Sequence, residues 1–560
     1  MVIWRKMGFM WKPGIDTGRK VSLSAKKPIL TLVLLILFIG SACSRGVYVS
    51  ALDLTATAQS EHSENIPKPQ VTSEIQDPLE STLFVTPLPT LNNAPIGGGS
   101  TADDPVLALS ETVVPQEPTL TPTRNQTPQP PFVYYTQAGD TLPVVAARFG
   151  VLPEEIQFNT DVPLTGLITP GTLLIIPNIL SELIATDPVM PDSEVIFSPS
   201  ALDFDIDMFI REAGGYLSSY REYIVDDWYD AGDVIRKVAT EDSINPRLLL
   251  ALLEYQSNWV YGYPSNLADE KYPMGLIVPE KDGLYKQLAQ AVKQLSAGYY
   301  GWREGRLVNI EFTDGTSLRL APNVNAGSVA IQYFFANFYD SERWLGTLYG
   351  PDSLPVLYET MFGSPWVRAQ SVEPLYPTHL QQPEMNLPFY PNKIWSFTGG
   401  PHAAWGPMGA YAALDFAPAT TVHGCYESTE WVVASAPGLV VRTGNGIVVV
   451  DLDGDGYEQT GWVMFYLHIA KTDKVLVGSW LDVDQRIGHP SCEGGSSTGT
   501  HVHIARKYNG EWIAADGPLP FVLSGWTAHN GSKAYEGTLT KTDQIVTARS
   551  YGSFETQIKR

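Results

Sequence analysis

His501 and His503 stand one residue apart in the strand-like segment THVHIARKYNGEWIAA. On a β-strand, residues two apart project from the same face, so both imidazoles can serve one site. Imidazole is a common zinc ligand, and a catalytic zinc takes three protein ligands and leaves a fourth position to water. A His-x-His pair alone is equally compatible with two surface histidines. Its weight comes from its setting: SCEGGSSTGT precedes it, and six of the nine histidines fall between His402 and His503.

Upstream lies ALDFAPA, with Asp415, and before it TGGPHAAWGPMGAY. Together these stretches resemble the lysostaphin and beta-lytic group of metallopeptidases, zinc enzymes that cleave peptide bonds in peptidoglycan. The resemblance implies that His503 binds zinc and that His501 acts in catalysis. Most members supply the other two ligands as His-x-x-x-Asp, whereas Tyr411 stands four residues before Asp415 here. Beta-lytic members carry the first histidine earlier, after Gly-Gly, and His402 in TGGPHAAWGPMGAYAALDF fits that place. The resemblance therefore assigns zinc to His402, Asp415 and His503. His468, in FYLHIA, matches a further family histidine, which puts His468 and His501 beside a metal-bound water and the scissile carbonyl.

Two other groups could do chemistry. Asp451, Asp453 and Asp455 alternate in DLDGDGYEQTGW, which resembles the start of a calcium loop; the twelfth position is Trp462 and not the bidentate Glu of an EF-hand. Ca2+ is thus a candidate ligand there, and a hairpin turn explains the same residues. Cys425 and Cys492 form an even pair once Cys43 is set aside, so a disulfide is expected in an oxidising compartment, with two separate buried thiols as the alternative.

The elements that must position these residues follow from pattern. Residues 390–530 carry strand-like runs such as WVVASAPGLVVRTGNGIVVVDL and GWVMFYLHIA between Gly-rich turns, which predicts an antiparallel, all-β C-terminal domain, with 531–560 as a tail. Residues 200–375 read as mainly helical. There INPRLLLALLEYQSNWV and YPMGL resemble the lysozyme-like fold of lytic transglycosylases, with Gln256 where that family has its acid. An amide has no proton to donate at neutral pH, so this middle domain is expected to be non-catalytic. Residues 132–178 resemble a LysM module, a small βααβ glycan-binding unit. The matching positions are Gly139, Asp140, Thr141, Leu142, Asn159, Pro170, Gly171, Thr172, Leu174, Ile176 and Pro177.

Residues 44–131 are rich in Ser, Thr and Pro and bury too little apolar surface to fold, which predicts a disordered tether. Before it, basic residues precede an apolar run from Pro28 to Ile39, the layout of an export signal over 1–43. The run is shorter than the roughly 20 residues of a spanning helix. GSAC resembles a bacterial lipoprotein signal, which implies lipidation of Cys43; Gly40 stands where Leu is usual.

A net charge of −23 with no basic cluster past the N-terminus excludes nucleic acid as a partner. The expectation is a multidomain cell-wall hydrolase with a LysM module, a lysozyme-like middle domain and a zinc peptidase domain. It would be exported to the extracytoplasmic face of a bacterial membrane and anchored there by its N-terminus. Its partner would be peptidoglycan, both N-acetylglucosamine-containing glycan and peptide stems. The alternative is a non-catalytic wall-binding scaffold or an activator of other hydrolases.

Overall fold

The computed structural model describes residues 129–180, 187–225 and 227–560. The export signal, Cys43 and the tether up to residue 128 lie outside the described residues. Among the described residues no helix is long and apolar enough to cross a membrane.

The N-terminal module contains strand β1 (Phe132–Tyr135), helix α1 (Leu142–Phe149), β2 (Gln157–Phe158) and β3 (Leu173–Ile176), with β3 central in an antiparallel sheet. Thr141 caps α1 by accepting from the Val144 amide, and Gly150 ends it in the left-handed region at φ 70°. Asp140 is fully buried and satisfied: it accepts from Tyr134 Oη at 2.6 Å, the Gln137 amide at 2.8 Å and Arg148 Nη1 at 2.7 Å. The second helix of the expected βααβ unit, which would fall on PEEIQFN, does not form. Pro153–Glu155 makes one 3-10 turn, and Gln157 and Phe158 pair with β3 instead. The run is too short to nucleate a helix when an open strand edge offers its amides partners.

Residues 187–369 are largely helical. Helices α2 (Ile206–Ala213), α3 (Ala231–Asp242), α4 (Pro246–Ser257), α5 (Leu267–Lys271), α6 (Leu284–Arg303), α7 (Ala326–Ala336), α8 (Ser341–Tyr349), α9 (Leu354–Phe362) and α10 (Pro365–Ala369) are joined by two hairpins. These are β4 (Arg221–Ile224) with β5 (Asp227–Asp230), and β6 (Asn309–Glu311) with β7 (Ser317–Arg319). In helix α4 the side chains from Leu248 to Leu253 are all fully buried. A helix apolar on every side belongs inside a domain, where each Leu contributes about 1.5–3 kcal/mol. Asn245 caps it and Pro246 opens it, because the missing proline N–H has no partner to lose in the first turn.

The C-terminal region is antiparallel β. Its nine-stranded sheet runs β14-β11-β12-β13-β16-β9-β8-β22, with β17 paired to β16. Central strands are β8 (Ile394–His402), β9 (Ala413–Pro418), β11 (Gly438–Thr443), β12 (Val448–Asp451), β13 (Trp462–Leu467) and β16 (Val502–Tyr508). The short or edge strands are β14 (Trp480–Leu481), β17 (Glu511–Trp512) and β22 (Gln557–Lys559), while β10 (Val432–Val433) pairs with β15 (Arg486–Gly488). A second sheet is β18 (Val522–Leu523), β19 (Trp526–Asn530), β20 (Gly537–Lys541) and β21 (Gln544–Thr547).

Residues 531–560, expected as a tail, thus belong to the fold. Alternation in GTLTK and QIVT turns Leu539 and Val546 inward across a two-residue turn, and β22 closes the large sheet beside β8. The domain also starts before residue 390, since Met385, Leu387 and Phe389 lie in its core.

The two faces of the large sheet have different partners. Leu414, Phe416, Met464, Tyr466, Val502 and Ile504 face a core shared with the second sheet. On the opposite face, Ala413, Val449, Val463, Phe465, Leu467, Ala505 and Trp512 join the core of the helical region. Polar contacts seal that junction. Arg303 on α6 donates to Glu511 Oε1 at 3.0 Å, to Asp192 Oδ2 at 2.8 Å and to the Ala138 carbonyl, joining all three parts of the chain.

Candidate metal centre

β-alternation places Asp415 and His503 directly opposite each other on β9 and β16, on the face that also carries Ala413 and Ala505. His402 reaches the same point from the end of β8. That strand must deviate to do so, and its register with β9 shifts between Phe397 and Gly399 and again before His402. The glycines of TGGPH permit this. A Cβ at Gly399 would run into the Asp415 carboxylate, and one at Gly400 into the Glu536 backbone.

Each ring is oriented by its second nitrogen. His402 Nδ1 donates to the Gly400 carbonyl at 2.8 Å, and His503 Nε2 donates to the Ala404 carbonyl at 3.0 Å. A carbonyl only accepts, so both protons are assigned by chemistry, leaving lone pairs on His402 Nε2 and His503 Nδ1. These two atoms are 3.0 Å apart and lie 3.4 Å and 3.2 Å from Asp415 Oδ1. Asp415 Oδ1 is buried and accepts no hydrogen bond. Two facing lone pairs and an orphan carboxylate oxygen call for a cation between them. Three donors on tetrahedral bonds of 2.0–2.1 Å would stand about 3.3 Å apart, so the set fits zinc in both chemistry and size. His402, Asp415 and His503 could hold the ion.

His468 and His501 complete the group without joining the ligand set. His468 Nδ1 donates to the Glu493 carbonyl at 2.9 Å and His501 Nδ1 to the Gly499 carbonyl at 2.8 Å. Their ring centroids are 4.5 Å apart, and His501 Nε2 is 3.6 Å from Asp415 Oδ1. Burial, with His501 and His503 nearby, pulls His468 down to about 4, so it is a neutral base at pH 7. Burial would raise Asp415, but His402 and His501 outweigh it and hold the carboxyl well below its ordinary range. Burial likewise lowers His503, whereas at His402 it is outweighed by Asp415 and the net shift is upward.

One residue at the site has no counterpart in the motif reading. Tyr535, in the turn before β20, stacks on His402 with centroids 4.0 Å apart. Its backbone is bound on both sides: Gly400 donates to the Tyr535 carbonyl at 2.9 Å, and the Tyr535 amide donates to Pro401 at 3.2 Å. No spacing within GSKAYEG announces this, because the contact is made across more than a hundred residues of chain.

Cys425 and Cys492 are joined as a disulfide with Cα atoms 5.7 Å apart, linking the loop after β9 to the segment before β16. Asp451, Asp453 and Asp455 cluster at the turn after β12. Backbone amides of Asp453 and Gly456 donate to Asp451, and that of Asp455 to Asp453, so the turn itself uses these carboxylates. In the helical region Gln256 Nε2 donates to the Met274 carbonyl of YPMGL at 3.4 Å and its Oε1 accepts from Tyr339 at 3.0 Å. Glu254 is tied elsewhere, accepting from the amides of Val260 and Tyr261 at 2.8 and 3.0 Å.

A family model described as the LasA N-terminal domain matches residues 188–376. The chain is similar to Protease LasA of Pseudomonas aeruginosa, with 24% identity over 334 residues that cover 57% of this chain and 76% of that protein. In a second strain the values are 25% over 289 residues, 49% of this chain and 65% of the relative. Among solved structures, the M23 metalloprotease pseudoalterin from the deep sea has a TM-score of 0.26 at 21% identity, covering 33% of this chain and all of that one. The catalytic domain of lysostaphin from Staphylococcus simulans has a TM-score of 0.17 at 23% identity, covering 22% of this chain and 90% of that one.

Proposed function

We propose that this LasA-like chain is a zinc-dependent endopeptidase of bacterial peptidoglycan, cutting peptide bonds in stem peptides or cross-bridges. The observation that carries the reading is the convergence of His402 Nε2, His503 Nδ1 and Asp415 Oδ1, whose orientation two backbone carbonyls enforce. The similarity to a protein named a protease supports the same class of reaction.

When bound, zinc supplies a Lewis acid and a water of lowered pKa. The chain's own residues do the rest. His402, Asp415 and His503 offer two neutral imidazoles and one carboxylate, while His468 and His501 present Nε2 atoms beside that set. Either Nε2 lone pair can take a proton from the nucleophile, and the ring that has taken it can then donate it to the leaving amine.

The remaining parts fit a wall-bound enzyme. The 132–178 module is read as a LysM-type glycan binder, and the N-terminus as an export signal with a lipid on Cys43, keeping the chain at the extracytoplasmic face. Weak glycan affinity suffices there, because attachment raises the effective concentration of substrate. In the middle region Gln256 offers an amide, so this part would bind or space and not hydrolyse glycan.

Mass spectrometry of products from purified peptidoglycan tests the proposal. Wild type should carry about one zinc per chain and release chelator-sensitive muropeptides, and His503→Ala should release none. A metal-free chain that binds wall without cutting it would overturn the reading in favour of a scaffold.

A further inference from the structure

We propose that the Cys425–Cys492 disulfide is a positioning element for His468 and His501, so that reducing it lowers turnover while leaving the metal ligands in place. This rests on the peptidase reading above. The segment from Cys492 to Gly499 reads CEGGSSTG, a composition with little conformational preference of its own. Both orienting carbonyls come from it: Glu493, next to Cys492, receives His468 Nδ1, and Gly499 receives His501 Nδ1. Ser491 adds its amide at 2.7 Å and its hydroxyl at 3.0 Å to the His468 carbonyl. Both rings are therefore aimed by a chain segment that must itself be held.

The segment is held at its two ends against one loop. At the far end the Thr500 amide donates to Gly424 at 3.1 Å, and the Thr500 hydroxyl receives the Tyr426 amide at 2.9 Å. At the near end the covalent tie is the disulfide, and beside it stand the Ser428 amide on Pro490 at 2.9 Å and the Lys471 amide on the Glu493 carboxylate at 3.1 Å. The metal ligands depend on neither, since they sit on β8, β9 and β16, paired strand to strand. Cys425 is exposed, so a reductant can reach the bond. With a trialkylphosphine and water, phosphorus is oxidised to the phosphine oxide by two electrons. The S–S bond takes those electrons, and its two sulfurs take the two protons of the water.

The test compares the oxidised full chain, the same protein reduced by tris(2-carboxyethyl)phosphine and then reoxidised, and the Cys425→Ser/Cys492→Ser variant. The readouts are zinc content, kcat and KM on soluble peptidoglycan fragments, and the imidazole 15N–1H spectrum. Reduction should keep zinc near one per chain and KM within about two-fold, lower kcat at least about ten-fold, and remove the protected Nδ1–H signals of His468 and His501. Reoxidation should restore both. Unchanged kcat and an unchanged spectrum on reduction, or loss of zinc in step with kcat, would overturn the proposal. If the variant fails to fold, the reversible reduction series decides. An oxidised chain that holds zinc and cuts nothing would sink the peptidase reading instead, while the imidazole spectrum still tests positioning.

Discussion

The ring of Tyr535 lies against that of His402, 4.0 Å between centroids and with the planes 22° apart. His402 ends β8, one strand in from the edge of the large sheet, and Tyr535 belongs to the β19–β20 hairpin, 32 residues past His503, so this hairpin buttresses the candidate metal centre from outside. Aromatic contacts of this kind are worth about 0.5–1.5 kcal/mol. Tyr535→Ala should weaken zinc binding by roughly 2- to 10-fold in a chelator competition titration. Tyr535→Phe keeps the stack and should bind zinc as wild type does.

Ligands and bases should separate by metal content. His503→Ala removes one of the three converging donor atoms, so zinc should fall toward zero and activity with it. His468→Ala should retain zinc, because its ring lies outside the three converging atoms, and should lose about 10²–10⁴-fold in kcat. Atomic absorption alongside peptidoglycan turnover checks both.

Acid should loosen the sheet through Glu458. This carboxylate is buried, which alone would raise its pKa, but Arg442 at 2.6 Å and Lys507 at 3.3 Å outweigh burial and hold it at about 2. Burial draws Lys507 down despite its partner, so Arg442 is the firmer half of the network. A depressed carboxylate pKa stabilises the fold above the unfolded value of 4.5 and ceases to do so as pH falls through the folded one. The difference corresponds to about 3 kcal/mol, lost between roughly pH 5 and 2. Denaturant titrations across that range should show the slope, and Glu458→Gln should flatten it at a lower overall stability.

Arg303 should be the most sensitive residue of the junction. Its side chain is almost wholly buried between Glu511 and Asp192, and removing it leaves both carboxylates without their cation. Breaking a buried pair from one side costs about 3–5 kcal/mol. Arg303→Ala should lower the melting temperature by several degrees and open residues 377–384, which follow the Tyr376 ring beneath Arg303, to limited proteolysis. Arg303→Lys should recover only part, since one ammonium cannot reproduce the guanidinium fork.

Several parts of this molecule were legible in one dimension because their determinants are local. The one-residue spacing of His501 and His503 dictates a shared face on any strand, and the Leu-rich run after Asn245-Pro246 dictates a buried helix with a capped start. Where a local signal competed with pairing, it failed. PEEIQFN has helical composition, yet Gln157 and Phe158 complete a sheet edge, and the alternation in GTLTK and QIVT was too short to announce strands until a hairpin partner was present.

The sequence by itself determined which side chains could bind a metal, that a tyrosine, Tyr411, and not a histidine stands at the usual ligand spacing from Asp415, and that Gln256 cannot act as an acid, since these follow from residue type and interval. Only the tertiary structure decided where the lone pairs point. The Gly400 and Ala404 carbonyls fix the tautomers of His402 and His503, which are 101 positions apart, and Tyr535 and the Glu493 carbonyl arrive from still other parts of the chain. Such contacts leave no periodicity behind, because they are set by how strands and loops pack and not by the order in which residues occur.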